Sequence, residues 1–420
     1  MRASYLWLKE LTGIGASPED MAEKLTAVGL EVEAIHRFPA PDKVVVAEVK
    51  AIRPHPKRDK LRLVTLTDGS AEDEIVCGAP NVPEPGGRVL FAQLGAALPT
   101  ESGAPFVISE RAIGGVPSRG MICSESELGI GAGGEGIFVF GAAAPEPGTP
   151  LAAALPVGDA VFEIGLTPNR PDCLGHLGIA RDLCALYGVP FTPPTPPAPP
   201  LRAEGAVPPS DARVALGWAE GGREVALEDD AGAGSFAIDI ADAARCPRYG
   251  AAFVLGARVG PSPFWLRYRL HVLGLRSISN LVDATNLVML ERGHPIHGFD
   301  LAKLRGQRIE VRLATEGETL ATLDGEERAL TADDLLICDG EGPVALAGVM
   351  GGANSEIEAA TRNVAIECAY FDPRSGGRPT PPPGVGTAPT PPQQRGGGPN
   401  PRPAPGPPAP PPKGGRRRGG

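Results

Sequence analysis

The pattern of apolar and polar residues near the N-terminus predicts a helix followed by a strand. Ser17-Pro-Glu-Asp20 is typical of a helix start, because serine caps the first turn and proline fits the first helical position. The apolar residues of one helical face then follow: Met21, Leu25 and Val28. Gly29 ends the helix, and residues 30–34 alternate apolar with polar side chains. This alternation predicts a half-buried strand.

Residues 44–140 show short apolar runs separated by Gly, Pro and Asp turns, the rhythm of a small antiparallel barrel. The predicted strands include Val44–Val49, Leu61–Thr67, Arg88–Leu94 and Gly136–Phe140. A helical pattern returns over Asp172–Tyr187, with Asp172 as its cap. We therefore expect the barrel, residues 40–151, to be inserted into or appended to an α/β module that is split between 1–39 and 152–190.

A proline-rich segment precedes a second folded body. Eight prolines fall within residues 193–209, which predicts a stiff linker, and 191–235 as a whole offers no clear periodicity. Residues 236–373 mix strands with a helix over Leu281–Leu290, which Gly293 ends. The predicted fold is an α+β multidomain chain: a split α/β module, a barrel, a linker and an α+β body.

Composition changes sharply at the C-terminal end of the 420-residue chain. The net charge of −10 divides into +8 for residues 374–420, which hold no acid, and −18 for the rest. Pro and Gly make up 28 of those last 47 residues, so the segment has too little apolar surface to offset its ordering entropy. We predict that 374–420 is disordered and that the fold ends near Pro373.

The same composition excludes several classes of protein. No apolar run approaches the ~18 residues of a membrane span, and charged residues interrupt the N-terminus before a signal peptide could form. Seven scattered cysteines without a CxxC pair favour reduced thiols. With six histidines and no HxxxH pattern, no protein-bound metal is expected. The chain is therefore predicted to be soluble and cytoplasmic, without a membrane partner.

One local segment is basic although the chain is acidic. Residues 50–62 carry six cations against the single acid Asp59. The candidate phosphate-binding side chains are Lys57, Arg58, Lys60 and Arg62. On charge alone, a solvated strand edge is an equally good interpretation.

Three strings around this segment resemble a known family. They are His55-Pro-x-x-Asp59-Lys-Leu61, Cys77-Gly-Ala-Pro-Asn81, and Ser118-Arg-Gly-Met-Ile-Cys-Ser124 followed by Glu127-Leu-Gly129. Together they are similar to the tRNA-binding OB-fold module found in several aminoacyl-tRNA synthetases. The resemblance implies that the barrel is an OB fold that contacts tRNA. Since few aromatic residues lie here, phosphate contact is the better expectation than base stacking.

Further strings extend the resemblance over nearly all of residues 1–373. The string Thr167–Leu174, taken alone, is best interpreted as a structural corner. The others are Pro261–Arg267, Gly274–Asn280, Val282–Asn286, Gly293–Asp300, Ala347–Gly352 and Ile366–Pro373. In this order they resemble the beta subunit of phenylalanyl-tRNA synthetase, whose editing domain would correspond to residues 236–373.

The chemistry of editing turns on one hydroxyl group. A pocket shaped for phenylalanine rejects tyrosine only modestly, so a second site that recognises the hydroxyl and hydrolyses the mischarged ester is a rational addition. Glu367, the only charge in the apolar run 364–371, is costly to bury without a partner. A neighbouring backbone group or arginine could satisfy it. The resemblance instead implies that Glu367 binds the tyrosine hydroxyl.

The resemblance also implies the rest of an editing pocket. His297 would orient water or the ester, with Thr285 and Asn286 beside it, and no nucleophilic Ser or Cys signature accompanies them. The expected pocket wall consists of Pro295, Ala347 and Gly348. Attack by water, helped by a hydroxyl of the tRNA, is the simplest scheme.

The family implies partners and cofactors beyond this sequence. The expected partners are tRNA(Phe) and the alpha subunit, in a heterotetramer of two alpha and two beta subunits. ATP and Mg²⁺ serve the holoenzyme, but no residue here is predicted to bind them, so we expect that this chain cannot aminoacylate alone. The change of composition after 373 resembles a shifted reading frame or an erroneous gene model. A natural truncation is the alternative explanation of this change. The alternative functions of the chain are a non-catalytic RNA-binding protein and a non-functional fragment of the subunit.

Overall fold

The N-terminal helix and strand form where the sequence predicts them. The computed structural model describes residues 1–100, 103–194, 213–219, 223–229 and 232–372. Its first elements are β1 (Arg2–Ser4), α1 (Tyr5–Thr12), α2 (Pro18–Ala27) and β2 (Glu31–Phe38). The Ser17 hydroxyl accepts a hydrogen bond of 3.2 Å from the Asp20 N–H, so the predicted cap of α2 is confirmed.

The next strands build a nearly closed barrel. They are β3 (Val44–Pro54), β4 (Arg62–Thr67), β5 (Glu72–Cys77), β6 (Arg88–Ala92), β7 (Ala97–Leu98), β8 (Phe106–Val107), β9 (Arg111–Ile113), β10 (Val116–Ser118) and β11 (Met121–Ile122). Five of them form one antiparallel sheet in the order β11-β6-β3-β4-β5. The Ser118 hydroxyl of β10 accepts a 3.1 Å hydrogen bond from the Val76 N–H of β5, which draws the two ends of the barrel together.

One predicted barrel strand is wrong. Residues 136–140 form a single bridge, Val139 to Val89, instead of a strand. The Asn81 side chain donates to the Ile137 carbonyl at 2.8 Å and accepts from the Ile137 N–H at 2.9 Å. Because this amide takes both backbone groups of Ile137, they are not available to a strand ladder.

Residues from both sides of the barrel share one small sheet. After the barrel come α3 (Leu151–Ala154), β12 (Asp159–Gly165) and α4 (His176–Tyr187). β12 lies between β1 and β2 and is antiparallel to both. Helices α1, α2 and α4 cover this sheet, and Leu8, Leu25, Phe162 and Leu183 are fully buried between them.

The helix predicted to begin at Asp172 begins later. Pro171–Leu174 is a separate 3₁₀ turn, and α4 starts after Gly175, whose backbone is extended (φ −129°, ψ 159°). Asp172 does not cap α4; its carboxylate accepts hydrogen bonds from the guanidinium groups of Arg170 and Arg181. The two arginines therefore determine the position of Asp172. The sequence pattern placed the start of α4 at Asp172, four residues before its actual start at His176.

The described residues of the second body form two facing sheets, a small two-stranded sheet (β19–β20) and two α-helices. Its elements are β13 (Arg213–Ala219), β14 (Arg223–Asp229), β15 (Gly232–Ile240), β16 (Arg248–Leu255), α5 (Phe264–Val272), α6 (Asn280–Arg292), β17 (His297–Asp300), β18 (Arg308–Leu313), β19 (Thr319–Ala321), β20 (Glu327–Ala329), β21 (Leu335–Cys338), β22 (Pro343–Leu346), β23 (Met350–Gly351) and β24 (Val364–Tyr370). The sheets run in the orders β13-β16-β24-β17 and β14-β15-β18-β21-β22-β23. Side chains of both, including Phe253, Phe299, Ile309 and Ile337, form one buried core.

The segment 191–235, left without defined elements by the sequence, contains regular structure. β13 pairs with β16 and β14 pairs with β15, each over seven residues. These strands extend the edges of the two sheets, so tertiary pairing rather than local periodicity creates them. The residues 195–212 of the predicted linker, the predicted boundary at Pro373 and the tail 374–420 lie outside the described residues.

Within the described part of the chain, no helix is long and apolar enough to cross a membrane.

A buried histidine joins the N-terminal module to the second body. His176, at the start of α4, is fully buried and stacks on Trp7 with the ring centroids 4.0 Å apart. Its Nδ1 lies 2.7 Å from the Leu290 carbonyl of α6, and its Nε2 accepts a 2.9 Å hydrogen bond from the Ser4 N–H. Since Nε2 accepts, Nδ1 carries the proton and donates to Leu290. The neutral imidazole thus ties β1, α4 and α6 together.

This arrangement predicts a loss of stability in mild acid. Burial lowers the pKa of His176 to about 3, although the hydrogen bond to Leu290 acts in the opposite direction. The unfolded chain therefore takes up a proton first, near pH 6.5, and stability falls as the pH drops from there towards 3. Between pH 7 and pH 5 we expect His176 to contribute a loss of about 2 kcal/mol in the free energy of unfolding.

Urea unfolding at the two pH values checks this expectation. His176→Gln keeps an amide donor and acceptor but removes the titration, so its stability should vary with pH by about 2 kcal/mol less than that of the unmodified chain. Equal pH dependence of the two proteins would contradict the assignment of a neutral buried imidazole.

Candidate functional site

Glu367 occupies the middle of a row of residues that crosses three strands. In β24 it pairs directly with His297 of β17 on one side and with Ala251 of β16 on the other. Adjacent residues in such a row have their Cβ atoms about 5 Å apart and on the same face of the sheet. The structure therefore brings together two of the predicted site residues, His297 and Glu367, which are 70 positions apart in the sequence.

This row lies at the boundary of the apolar core. Ala365 and Ala369, two positions to either side of Glu367 in β24, are buried, whereas His297 and Glu367 are half-buried. The His297 ring packs edge-on against Phe299, with the centroids 4.7 Å apart. Both polar side chains thus combine a rigid apolar setting with partial access, as a pocket that recognises a polar group requires.

Two buried protic groups lie near Glu367. Burial and then the negative charge of Glu367 raise the pKa of the Tyr249 phenol well above its ordinary value. The same two causes raise the pKa of the Cys246 thiol to about 12. Both groups therefore remain protonated at neutral pH. Sequence reasoning did not select either residue, because their proximity to Glu367 arises from the pairing of β16 with β24.

β23 of the facing sheet approaches the row at Gly351. A Cβ atom on Gly351 would lie 2.6 Å from the Nε2 atom of His297, so a larger residue here would displace the His297 ring. Ala347 is buried, whereas Gly348 is exposed, has φ +69° and lies against the ring of Phe371. Gly351, within the string Ala347–Gly352, is therefore in contact with His297. The sequence analysis selected Ala347 and Gly348 from this string but not Gly351.

The remaining predicted pocket residues belong to α6 and the loop after it. Thr285 and Asn286 are half-buried on α6, which contacts β17, and the Thr285 hydroxyl donates to the Val282 carbonyl at 2.7 Å. Pro295 is exposed between α6 and β17. Buried Asp283 fixes the start of α6, since it accepts hydrogen bonds from the hydroxyls of Ser262 and Ser277 and from the Ile278 N–H.

The four candidate phosphate-binding residues share an exposed surface beside the barrel. Lys57, Arg58, Lys60 and Arg62 are exposed, and no ion pair of the described residues involves them. By contrast, Lys50 and Arg53 of the same basic segment form ion pairs with Glu48 and Glu74.

Residues 55–62, which lead from the end of β3 to the first residue of β4, are called the basic loop, and a buried histidine anchors this loop to the barrel. His55 Nδ1 accepts a 3.1 Å hydrogen bond from the Lys57 N–H, and its Nε2 lies 3.0 Å from the Ile113 carbonyl. The loop therefore packs against the β9–β10 hairpin. Residues of the family strings near it stabilise the barrel: the Ser124 N–H and hydroxyl, for example, each donate a 2.7 Å hydrogen bond to the Glu127 carboxylate.

A cluster with the spacing of metal ligands lies between the structural corner at 167–174 and α4. One donor atom from each of Asp172, Cys173 and Asp182 lies within 4.8 Å of the others. The Arg170 guanidinium donates hydrogen bonds to all three side chains. Its positive charge takes the place that a cation would occupy, so we assign this cluster a structural role.

Comparison with known proteins identifies both halves of this arrangement. The family described as "B3/4 domain" matches residues 245–378, which contain the row around Glu367. The family described as "Putative tRNA binding domain" matches residues 44–150, which contain the basic loop. The candidate site and the exposed cations therefore fall in two separately recognised domains.

Similar proteins of known identity cover about nine tenths of this chain. The phenylalanine–tRNA ligase beta subunit of Geobacter metallireducens is 44% identical over 376 residues, which are 89% of this chain and 43% of that protein. The corresponding subunit of Anaeromyxobacter dehalogenans is 44% identical over 382 residues, 90% of this chain and 43% of that protein. This chain is similar to phenylalanine–tRNA ligase beta subunits over part of their length. The family resemblance predicted from the sequence is confirmed.

The chain spans about 43% of the length of the phenylalanine–tRNA ligase beta subunits that it matches. A solved N-terminal fragment of the phenylalanyl-tRNA synthetase beta subunit from Pyrococcus horikoshii is 15% identical, covers 52% of this chain and 57% of that fragment, and has a TM-score of 0.26. At that score the likeness carries no structural argument. The mixed α and β fold with a nearly closed barrel follows from the strand pairing described above.

Proposed function

We propose that this chain provides tRNA binding and hydrolytic editing of Tyr-tRNA(Phe) within a phenylalanine–tRNA ligase. The observation that carries the proposal is the direct pairing of His297 with Glu367 inside the B3/4 domain. In the proposed layout, residues 40–151 are an OB-fold barrel inserted into the split module 1–39 and 152–190. Residues 236–373 belong to the editing domain.

Glu367 is the proposed specificity group of the editing site. A half-buried carboxylate on an apolar sheet can accept a hydrogen bond from the phenolic hydroxyl of a tyrosyl ester. A phenylalanyl ester offers no such donor and would leave the carboxylate without this bond. Tyrosine-specific hydrolysis therefore follows from one acceptor that binds a hydroxyl carried only by the tyrosyl ester.

His297, Thr285 and Asn286 are the proposed groups around the ester. Water adds to the ester carbonyl carbon, the bond from that carbon to the terminal tRNA oxygen breaks, and the proton lost by the water goes to that oxygen. His297 would orient the water or the ester, since it lies directly across from Glu367. Pro295, Ala347 and Gly348 are proposed as walls of the pocket, with Gly351 against the His297 ring.

The direct test of this proposal is the rate at which the chain hydrolyses Tyr-tRNA(Phe), with Phe-tRNA(Phe) as the matched substrate. Both esters share the tRNA and the leaving group, so their ratio isolates the recognition of the hydroxyl. An equal rate for the two esters would contradict the role of Glu367.

The basic loop is proposed to bind phosphates of the tRNA. Replacing Lys57, Arg58, Lys60 and Arg62 together by alanine should weaken tRNA(Phe) binding at low salt. The slope of log K against log salt concentration should become shallower by about 0.7 for each lost phosphate contact, or roughly 3 for four contacts. Filter binding at several salt concentrations measures both effects.

Lys50 and Arg53 provide the matched control for this experiment. They belong to the same basic segment, but each already has a carboxylate partner. Lys50→Ala with Arg53→Ala should leave the salt slope close to that of the unmodified chain. If both variants reduce the slope equally, the four exposed cations are not the specific tRNA contact.

The alpha subunit, in a two-alpha, two-beta heterotetramer, is the proposed protein partner, and the cytoplasm is the proposed compartment. ATP and Mg²⁺ supply the energy and charge neutralisation for aminoacylation in the assembled ligase. None of the described residues is assigned to either cofactor, because the Asp172–Asp182 cluster holds a guanidinium instead. Charging of tRNA is therefore assigned to the assembly with the alpha subunit.

A further inference from the structure

Tyr249 lies diagonally next to Glu367 on the buried face of the sheet. The register pairs Glu367 with Ala251 and Ala369 with Tyr249, so all four side chains share that face. Diagonal neighbours lie about 7–8 Å apart, within reach of an aromatic side chain. The Tyr249 side chain is fully buried, and its hydroxyl and the Oε2 atom of Glu367 are both shielded from solvent.

The residues next to Tyr249 and Glu367 on this face are small. Ala369, which pairs with Tyr249, and Ala251, which pairs with Glu367, are both buried. No larger side chain of β16 or β24 can separate the phenol from the carboxyl. In the adjacent row the sizes are reversed, since Phe253 and Phe299 flank Ala365. The phenol therefore fills the region beside Glu367 that the alanines leave.

The phenol can only act as a donor towards this carboxyl. It stays protonated at neutral pH, because burial and the charge of Glu367 both oppose its ionisation. A carboxylate has about four acceptor positions on its two oxygens. One donor from within the protein therefore leaves acceptor capacity for a second hydroxyl.

We propose that Tyr249 is a positioning residue for the editing site, which directs the Glu367 carboxylate so that it can accept the hydroxyl of a tyrosyl ester. The inference rests on the proposed editing function. The protein's own phenol and the substrate's phenol then bind the same carboxylate, one from the core side and one from the pocket side. Tyr249 touches neither the ester nor the water.

The test is the substitution Tyr249→Phe, which removes one oxygen and keeps the ring that fills the core. Its hydrolysis of Tyr-tRNA(Phe) should fall by about 10-fold in kcat/KM, with the larger part in KM, because a misdirected carboxylate weakens recognition of the hydroxyl. Its hydrolysis of Phe-tRNA(Phe) should be unchanged. In the double variant Tyr249→Phe with Glu367→Gln, the tyrosyl ester should react no more slowly than with Glu367→Gln alone, since both act on one interaction.

Tyr268→Phe is the matched control. Its hydroxyl is also in a buried side chain, but it accepts hydrogen bonds from the Gly158 and Asp159 N–H groups at 3.0 and 3.1 Å, between the second body and the N-terminal module. Its loss should lower the melting temperature and leave the ratio of the two hydrolysis rates intact.

Three results would overturn the inference, and they are distinguishable. If Tyr249→Phe slows both esters equally, the residue is merely structural. If it changes neither ester while Glu367→Gln abolishes selectivity, the editing site stands and Tyr249 does not position it. If the unmodified chain fails to distinguish the two esters, the editing function and the positioning role fall together.

Discussion

Replacing Glu367 with glutamine is expected to reduce kcat/KM for hydrolysis of Tyr-tRNA(Phe) by about 100-fold, because a hydrogen bond to a charged group contributes roughly 1.5–3 kcal/mol. The substitution keeps the size of the side chain and removes its charge. Hydrolysis of Phe-tRNA(Phe) should change little, since that ester has no hydroxyl to bind. Steady-state rates on the two esters measure the effect.

Two other variants define how specific this result is. His297→Ala should slow hydrolysis of any ester that reaches the site, so it should lower kcat and leave the ratio between the esters near its original value. Glu327→Gln removes the charge of an exposed glutamate in β20 of the same body and should have no effect. If Glu367→Gln keeps the full preference for the tyrosyl ester, Glu367 does not bind the hydroxyl.

Replacing Gly175 with alanine is expected to destabilise the fold by about 3 kcal/mol or more, because over-packing against backbone cannot be relieved by a side-chain rotation. A Cβ atom at this position would lie 2.4 Å from the Gly293 nitrogen and 2.6 Å from the Glu291 carbonyl oxygen. The start of α4 would have to move away from the end of α6. Urea unfolding of the variant and the unmodified chain measures the loss.

Gly15→Ala is the control for this prediction. A Cβ atom on Gly15 would meet no other atom within 4 Å, and the residue does not adopt a left-handed backbone. Its substitution should be neutral or stabilise by less than about 1 kcal/mol, through the lower entropy of the unfolded chain. Equal stability of the Gly175 and Gly15 variants would contradict the close packing of α4 on α6.

The Gly175 contact also connects the N-terminal module with the candidate site. Gly293 ends α6 and precedes the loop that leads to His297. A shift of α6 should therefore lower the proposed editing activity as well as stability. His176 acts at the same junction through its bond to the Leu290 carbonyl.

Local chemistry explains which elements could be predicted from the sequence. The cap at Ser17 and the helix end at Gly293 depend on neighbouring residues alone, and both are confirmed. The start of α4 was misplaced, because Arg170 and the close approach of Gly293 hold Asp172 and Gly175 outside the helix. β13 and β14 were missed, because their pairing partners lie elsewhere in the sheets.

The candidate site was only partly visible in the sequence for the same reason. Glu367 was conspicuous as a lone charge in an apolar strand, and the structure places it in β24. Its neighbours Tyr249 and Ala251 depend on the register between β16 and β24, two strands that are distant in the sequence and that no hairpin turn connects. Gly351 could have been suspected from the consecutive glycines at 351–352, since a backbone that approaches another side chain closely often requires glycine.

The measurement that tests the central claim most directly is single-turnover hydrolysis of Tyr-tRNA(Phe) and Phe-tRNA(Phe) by the unmodified chain. We predict that the tyrosyl ester is hydrolysed faster than both the phenylalanyl ester and the spontaneous reaction, and that Glu367→Gln removes the difference. Hydrolysis of both esters at the spontaneous rate, by a chain that binds tRNA(Phe) and unfolds cooperatively, would contradict the account.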